Sequence, residues 1–156
     1  MPGNLFTAPM TISSVSFSPS SGESVMFYQF YMYMGYCADS ELGTVYDDNY
    51  ISGTRTSVIS NTGGYSLTSA TPWTGLPLDT PFFFDPAAGN LIIEIAWPDG
   101  EGEIYTFDHA TAGVSMVSSG YGQSSGDTFT QGPYLLLEGA YSLEQVTFAG
   151  IKASFH

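Results

Sequence analysis

The sequence predicts an all-β protein: one two-sheet β-sandwich with jelly-roll or Greek-key connections, about nine strands and little helix. Three observations lead there. Helical periodicity is almost absent along the 156 residues. Clusters of Gly, Pro, Ser, Thr and Asn recur about every 10 to 13 residues, the spacing of strands joined by turns. The chain is 43% hydrophobic and 15% aromatic, enough for one packed core and too little for two ordinary domains, so residues 1–156 read as a single domain. The same aromatic content, with charges scattered singly, argues against disorder.

The strand candidates lie between the turn clusters. Thr11–Phe17 ends at Ser18-Pro19-Ser20-Ser21-Gly22, and Val25–Tyr36 leads to a loop region holding Gly43-Thr44 and Ser52-Gly53. Arg55–Ser60 stops at Asn61-Thr62-Gly63-Gly64, and Leu76–Phe84 stops at Asp85-Pro86-Ala87-Ala88-Gly89-Asn90. Leu91–Trp97 stops at Pro98-Asp99-Gly100. Each cluster is made of residues that supply turn geometry. Glu103–Asp108 and Val114–Ser118 precede the long Ser118–Gly126 tract, after which come Tyr134–Glu138 and a last strand, Gly150–Phe155. The one helical hint is Ser142-Leu143-Glu144-Gln145, a capping-box pattern worth a turn or two.

Two strands show which faces they bury. In Leu91–Trp97 the odd positions are all large and apolar, so they face the core and Glu94 points outward, as in a central strand. Val25–Tyr36 differs. Met26, Tyr28, Phe30, Met32 and Met34 fill one parity, and Phe27, Tyr31 and Tyr33 the other. A sandwich strand needs one apolar face, so the second must pack under a loop, against another subunit or against a flat ligand. The Ser118–Gly126 tract is the candidate cover.

Charge excludes several function classes. Only 11% of residues are charged, and the two basic ones, Arg55 and Lys152, face 15 carboxylates for a formal net charge of -13. The imbalance comes from missing Lys and Arg, not from an acid coat. Nucleic acids and anionic membrane surfaces are held by Lys and Arg, so neither is an expected partner. Cys37 is the single cysteine, which rules out an internal disulfide and a Cys-based metal cluster; it reads as a small packed residue. Met1-Pro2-Gly3-Asn4 shows no basic stretch followed by an apolar run, so no signal peptide is read in this chain. The most apolar segment, Val25–Ala38, falls short of the roughly 20 residues that span a bilayer, and no membrane insertion is expected.

Catalysis is poorly supplied. His109 and His156 sit in no nucleophile-elbow context, and Asp108 beside His109 points to the opposite face of a strand. Nothing selects one carboxylate pair for glycoside hydrolysis, and no Gly-rich phosphate loop precedes a helix. The sequence therefore reads as non-enzymatic. Calcium is the one cofactor with candidate ligands: Asp99, Glu101 and Glu103 alternate across a turn, and Asp47 and Asp48 precede Asn49, oxygen donors that suit a hard cation. The EF-hand spacing is not met. For glycan stacking the candidates are Trp73, in a Pro/Thr/Gly loop, with Tyr46, Tyr50 and Tyr121.

At Tyr33-Met34-Gly35-Tyr36, Ser40-Glu41-Leu42, Asp48-Asn49-Tyr50, Leu78-Asp79-Thr80-Pro81-Phe82, the strand from Asn90 to Trp97 and Ile151-Lys152-Ala153-Ser154-Phe155, the chain resembles a jelly-roll-like β-sandwich module. That module recurs in large secreted and cell-surface proteins of uncultured and Bacteroidetes-like bacteria. The resemblance covers residues 30–100 best. It implies an extracellular or cell-surface location and a fold, with no catalytic residues carried over. Such modules usually sit in longer chains, whereas this sequence is read as a single domain. The expected function is a structural subunit that self-assembles into a filament, tube or surface layer. Its assembly face is Tyr28, Phe30, Tyr31, Met32, Tyr33 and Met34, and its exterior lacks the lysines that protect natural sheet edges. The alternative is a glycan-binding or adhesion module stabilised by calcium, and a third reading is a viral capsid or decoration protein.

Overall fold

The structure, a computed structural model, describes residues 6–102, 104–106, 108–109 and 114–141. Among these residues the protein is all-β and antiparallel. The strands in chain order are β1 (Met10–Phe17), β2 (Ser24–Phe27), β3 (Phe30–Cys37), β4 (Thr56–Asn61), β5 (Tyr65–Thr68), β6 (Thr74–Phe84) and β7 (Asn90–Ala96). They continue with β8 (Gly100–Glu101), β9 (Asp108–His109), β10 (Met116–Ser118), β11 (Asp127–Phe129), β12 (Gly132–Pro133) and β13 (Leu135–Tyr141), and a 3-10 turn spans Asp47–Asn49.

One sheet has the order β13-β1-β6. Two others, β4-β3-β7 and β5-β2-β8, are halves of a single bent sheet. Tyr31 lies opposite Ala96 and Phe27 opposite Gly100, so both chains advance equally through the corner and the register is kept. The Tyr28 amide donates to the Asp99 carbonyl at 3.1 Å and closes the gap between the halves. Met10, Ile12 and Val15 of β1 with Leu76, Phe82 and Phe84 of β6 meet Phe30, Met32 and Met34 of β3, Val58 and Ile59 of β4 and Leu91 of β7 in one buried cluster. Two sheets sharing one apolar core make a sandwich.

The alternation expected of Thr11–Phe17 is interrupted once. Ile12 pairs with Gly139 and Ser14 with Glu138, so Ser13 is an extra residue on β1. On the other side Ile12 pairs with Phe82 and Ser14 with Pro77, and Leu78 to Pro81 bulge from β6. Such bulges bend a strand and increase its twist. Gly139 sits at this kink, where an added Cβ would run into the Thr11 carbonyl.

Several sequence expectations are corrected. Val25–Tyr36 is two strands joined by a bend at Tyr28-Gln29, and the bend resets which parity faces inward. Val25 is buried and Phe27 packs on the core before it; Phe30, Met32 and Met34 are buried after it. Met26 and Tyr28 share sequence parity with Phe30 yet are exposed. Leu91–Trp97 forms β7, whose one strand partner among the described residues is β3. Its inward face is as read for Leu91 and Ile93, but Ile95 is 39% and Trp97 48% exposed. The expected strand Glu103–Asp108 lies partly outside the described residues; within it Thr106 forms an isolated bridge with Pro19 and Asp108 opens β9, while β8 precedes it. β5, β11 and β12 were not expected. Gly150–Phe155 and Ser142–Gln145 lie outside the described residues.

Candidate functional site

The outer face of the β4-β3-β7 sheet carries the densest polar and aromatic cluster. Local backbone bonds build it. The Ile51 amide donates to the Tyr36 carbonyl at 2.7 Å, and the Tyr36 amide donates to Thr54 Oγ1 at 3.1 Å, which ties the loop before β4 onto β3. The Thr54 hydroxyl in turn donates to the Ile51 carbonyl at 2.7 Å. This lays the Tyr50 ring over Gly35, where a Cβ would meet ring Cδ1 at 2.7 Å, and it launches Arg55 across the face.

Arg55 reaches over β3 to Glu94 on β7. Its Nε donates to Glu94 Oε2 at 2.9 Å and its terminal nitrogen to Oε1 at 2.7 Å, a bidentate pair. The Tyr50 hydroxyl donates to Glu94 Oε2 at 2.8 Å. The guanidinium carbon lies 3.7 Å from the centroid of Tyr33, the residue opposite Glu94 in the register, and 5.8 Å from that of Tyr50. Tyr31 stacks beside Tyr33 at 6.5 Å and donates its hydroxyl to Gln29 Oε1 at 2.8 Å. Burial, followed by the charge of Glu94 and the hydrogen bond to it, raises the Tyr50 hydroxyl well above the usual tyrosine range. The Glu94 hydrogen bond raises Arg55 still further above its own range, against a smaller opposing effect of burial. Both carboxylate oxygens are therefore engaged, and the arrangement neutralises and clamps. It presents no free base or nucleophile.

The predicted assembly residues divide. Phe30, Met32 and Met34 belong to the core of the subunit itself and are not available to a partner. Tyr31 and Tyr33 are half-buried on the outer face, covered in part by Arg55. Tyr28 is exposed at the corner, where its hydroxyl donates to Glu101. The Ser118–Gly126 tract does not cover this face through the bonds it makes. It forms the β10–β11 loop and pairs instead with the segment before the 3-10 turn: the Gly126 amide donates to the Thr44 carbonyl and the Tyr46 amide to the Ser124 carbonyl.

The predicted glycan residues do not converge. The Tyr46 hydroxyl donates to Ser119 Oγ, and Tyr50 is used by the clamp. Trp73 and Tyr121 stay exposed in separate loops, with no ring contact between any of the four. Among the described residues no three His, Cys, Asp or Glu side chains gather as a metal would require. Asp99 accepts from the Gly100 amide, Glu101 accepts from Tyr28, and Asp47 and Asp48 sit in the first turn of the 3-10 segment. Glu103 lies outside the described residues.

Sequence reasoning left Arg55 and Glu94 out of the site. Arg55 was visible as one of only two cations, but the strand crossing that brings it to Glu94 was not. A scan against family models, a search of curated proteins and a search of solved structures each found no match to this chain.

Proposed function

We propose that the protein is a non-catalytic structural subunit that self-assembles at the cell exterior into a filament, tube or surface layer. One observation carries the reading. Two of the sheets end, among the described residues, on a strand paired on one side only with exposed apolar side chains along it: Leu136 and Tyr141 on β13, Ile95 on β7 and Trp97 just beyond. Unpaired edges recruit further strands unless charge, bulges or covers prevent it, and no lysine stands among the described residues. The extracellular setting rests on the resemblance to secreted modules.

Multi-angle light scattering and negative-stain microscopy over a concentration series test this. Growth of ordered oligomers with concentration is expected; a strict monomer at every concentration and salt sinks the idea. A glycan-binding role keeps one supporting observation, the exposed Trp73. A glycan array comparing wild type with Trp73→Ala is expected to show binding lost in the variant if that role holds.

A further inference from the structure

We propose that Asp99-Gly100, at the corner of the bent sheet, is a site of spontaneous covalent rearrangement in which the main chain passes from the α-carbonyl of Asp99 to its side-chain carboxyl. The site is independent of the self-assembly reading. Asp99 is the one aspartate of the chain that precedes a glycine, and glycine has no Cβ to crowd the approach of its amide nitrogen to the preceding side chain. Both residues are exposed. The Gly100 amide donates to Asp99 Oδ1 at 2.8 Å, so the fold holds nucleophile and carboxyl side by side. Other aspartates are engaged elsewhere: Asp79 accepts from the Ser60 amide and Asp85 from the Ala87 amide. The fold also demands this glycine, because a Cβ at position 100 would lie 2.7 Å from the Met26 carbonyl oxygen.

In the reaction the Gly100 nitrogen attacks Cγ of Asp99 in its acid form. The N–Cγ bond forms, the Cγ–OH bond breaks, and the hydroxyl leaves with the amide proton as water, closing a succinimide ring. Solvent water reopens it. Addition at Cγ restores aspartate, whereas addition at the α-carbonyl carbon breaks that carbon's bond to nitrogen and leaves an isoaspartyl residue of unchanged composition and charge. The main chain then carries an added methylene between Asp99 Cα and Gly100, and the former α-carbonyl is a free carboxylate. That carbonyl oxygen accepts from the Tyr28 amide at 3.1 Å and closes the gap between the sheet halves, while Gly100 and Glu101 lie opposite Phe27 and Met26. Added backbone length here shifts the register as a bulge does and draws Glu101 away from the Tyr28 hydroxyl.

Incubation of the folded chain in water enriched in heavy oxygen, followed by digestion in ordinary water and peptide mapping by mass spectrometry, tests this, since each ring opening leaves one heavy oxygen on the residue. The peptide holding Asp99 is expected to gain one heavy oxygen and to become a substrate for an isoaspartyl methyltransferase, at the rate of a free synthetic peptide of residues 95–102 or faster. Asp99→Glu, whose larger ring closes far more slowly, is expected to gain none, with a melting curve to confirm folding. In the isolated isoaspartyl form the Tyr28 amide is expected to exchange with deuterium faster than in the unmodified chain, because its acceptor has moved. A folded chain that labels at Asp99 more slowly than the free peptide, or that does not label there, overturns the site, as does equal labelling of Asp99→Glu. Unchanged exchange at Tyr28 overturns the effect on the corner.

Discussion

Gly35 is the residue on which the outer-face cluster rests. An added Cβ would lie 2.7 Å from the Tyr50 ring and 3.1 Å from the Thr54 carbonyl oxygen, and the latter is backbone that cannot step aside alone. Gly35→Ala is expected to cost about 1–3 kcal/mol in urea unfolding, the range for overpacking a filled site; an unchanged midpoint would show that the loop lifts freely. Tyr50 gives the cluster an alkaline limit. Its folded-state pKa is raised, so the unfolded chain loses the proton first, and the stability tied to the neutral hydroxyl is complete below about pH 10 and declines as pH rises beyond it. Tyr65, raised chiefly by burial, and Tyr28, raised chiefly by its hydrogen bond to Glu101, act in the same direction. Tyr50→Phe is expected to lose about 1 kcal/mol at neutral pH and to unfold less steeply between pH ~10 and ~12 than wild type; parallel pH profiles would exclude this role. Arg55 and Glu94 were each conspicuous in the sequence, one as a rare cation and the other as the charge in an apolar strand. Their partnership was not legible, because it joins residues 39 apart through three adjacent strands and no local pattern encodes strand order.

At the scale of elements, the bend at Tyr28-Gln29 decides which side chains form the core. Met26 and Met32 have the same parity in the sequence, but only Met32 is buried. Met32→Ala is expected to cost about 2–5 kcal/mol and Met26→Ala no more than about 0.5 kcal/mol, measured as chemical unfolding of the monomer. Equal losses would mean that the strand runs straight. The two greasy faces of Val25–Tyr36 were correctly visible as a problem to be solved. Half the solution is the corner, where Phe27 packs 5.0 Å from Phe30 and 5.5 Å from Trp97 while Tyr65 stacks on Phe30 at 4.9 Å. The other half is the guanidinium over Tyr33. Alternation in Leu91–Trp97 likewise gave the inward face of β7. It does not say whether a strand has one neighbour or two, since period 2 reports the faces of a sheet and is silent about its edges.

For the whole molecule, self-repulsion is the dominant electrostatic effect. Fifteen carboxylates against two basic residues destabilise a compact state, whereas the Arg55–Glu94 pair, partly exposed, is worth about 0–1 kcal/mol. Salt weakens both, and the larger effect wins. The melting temperature of dilute monomer is therefore expected to rise between about 0.01 M and about 1 M sodium chloride, by ~2–4 °C for each kcal/mol of repulsion relieved; a falling melting temperature would show that the clamp outweighs the net charge. The composition, the turn clusters and the strand alternation were sufficient by themselves to determine an all-β chain with one core and a sparsely charged surface, because those properties are summed over local residues. Strand order, the corner in the second sheet and the neutralisation of Glu94 were decided only by the tertiary structure, because each depends on which distant segments lie side by side. The acidic composition is common to the whole chain, but only the folded arrangement brings Arg55 across β3 onto Glu94.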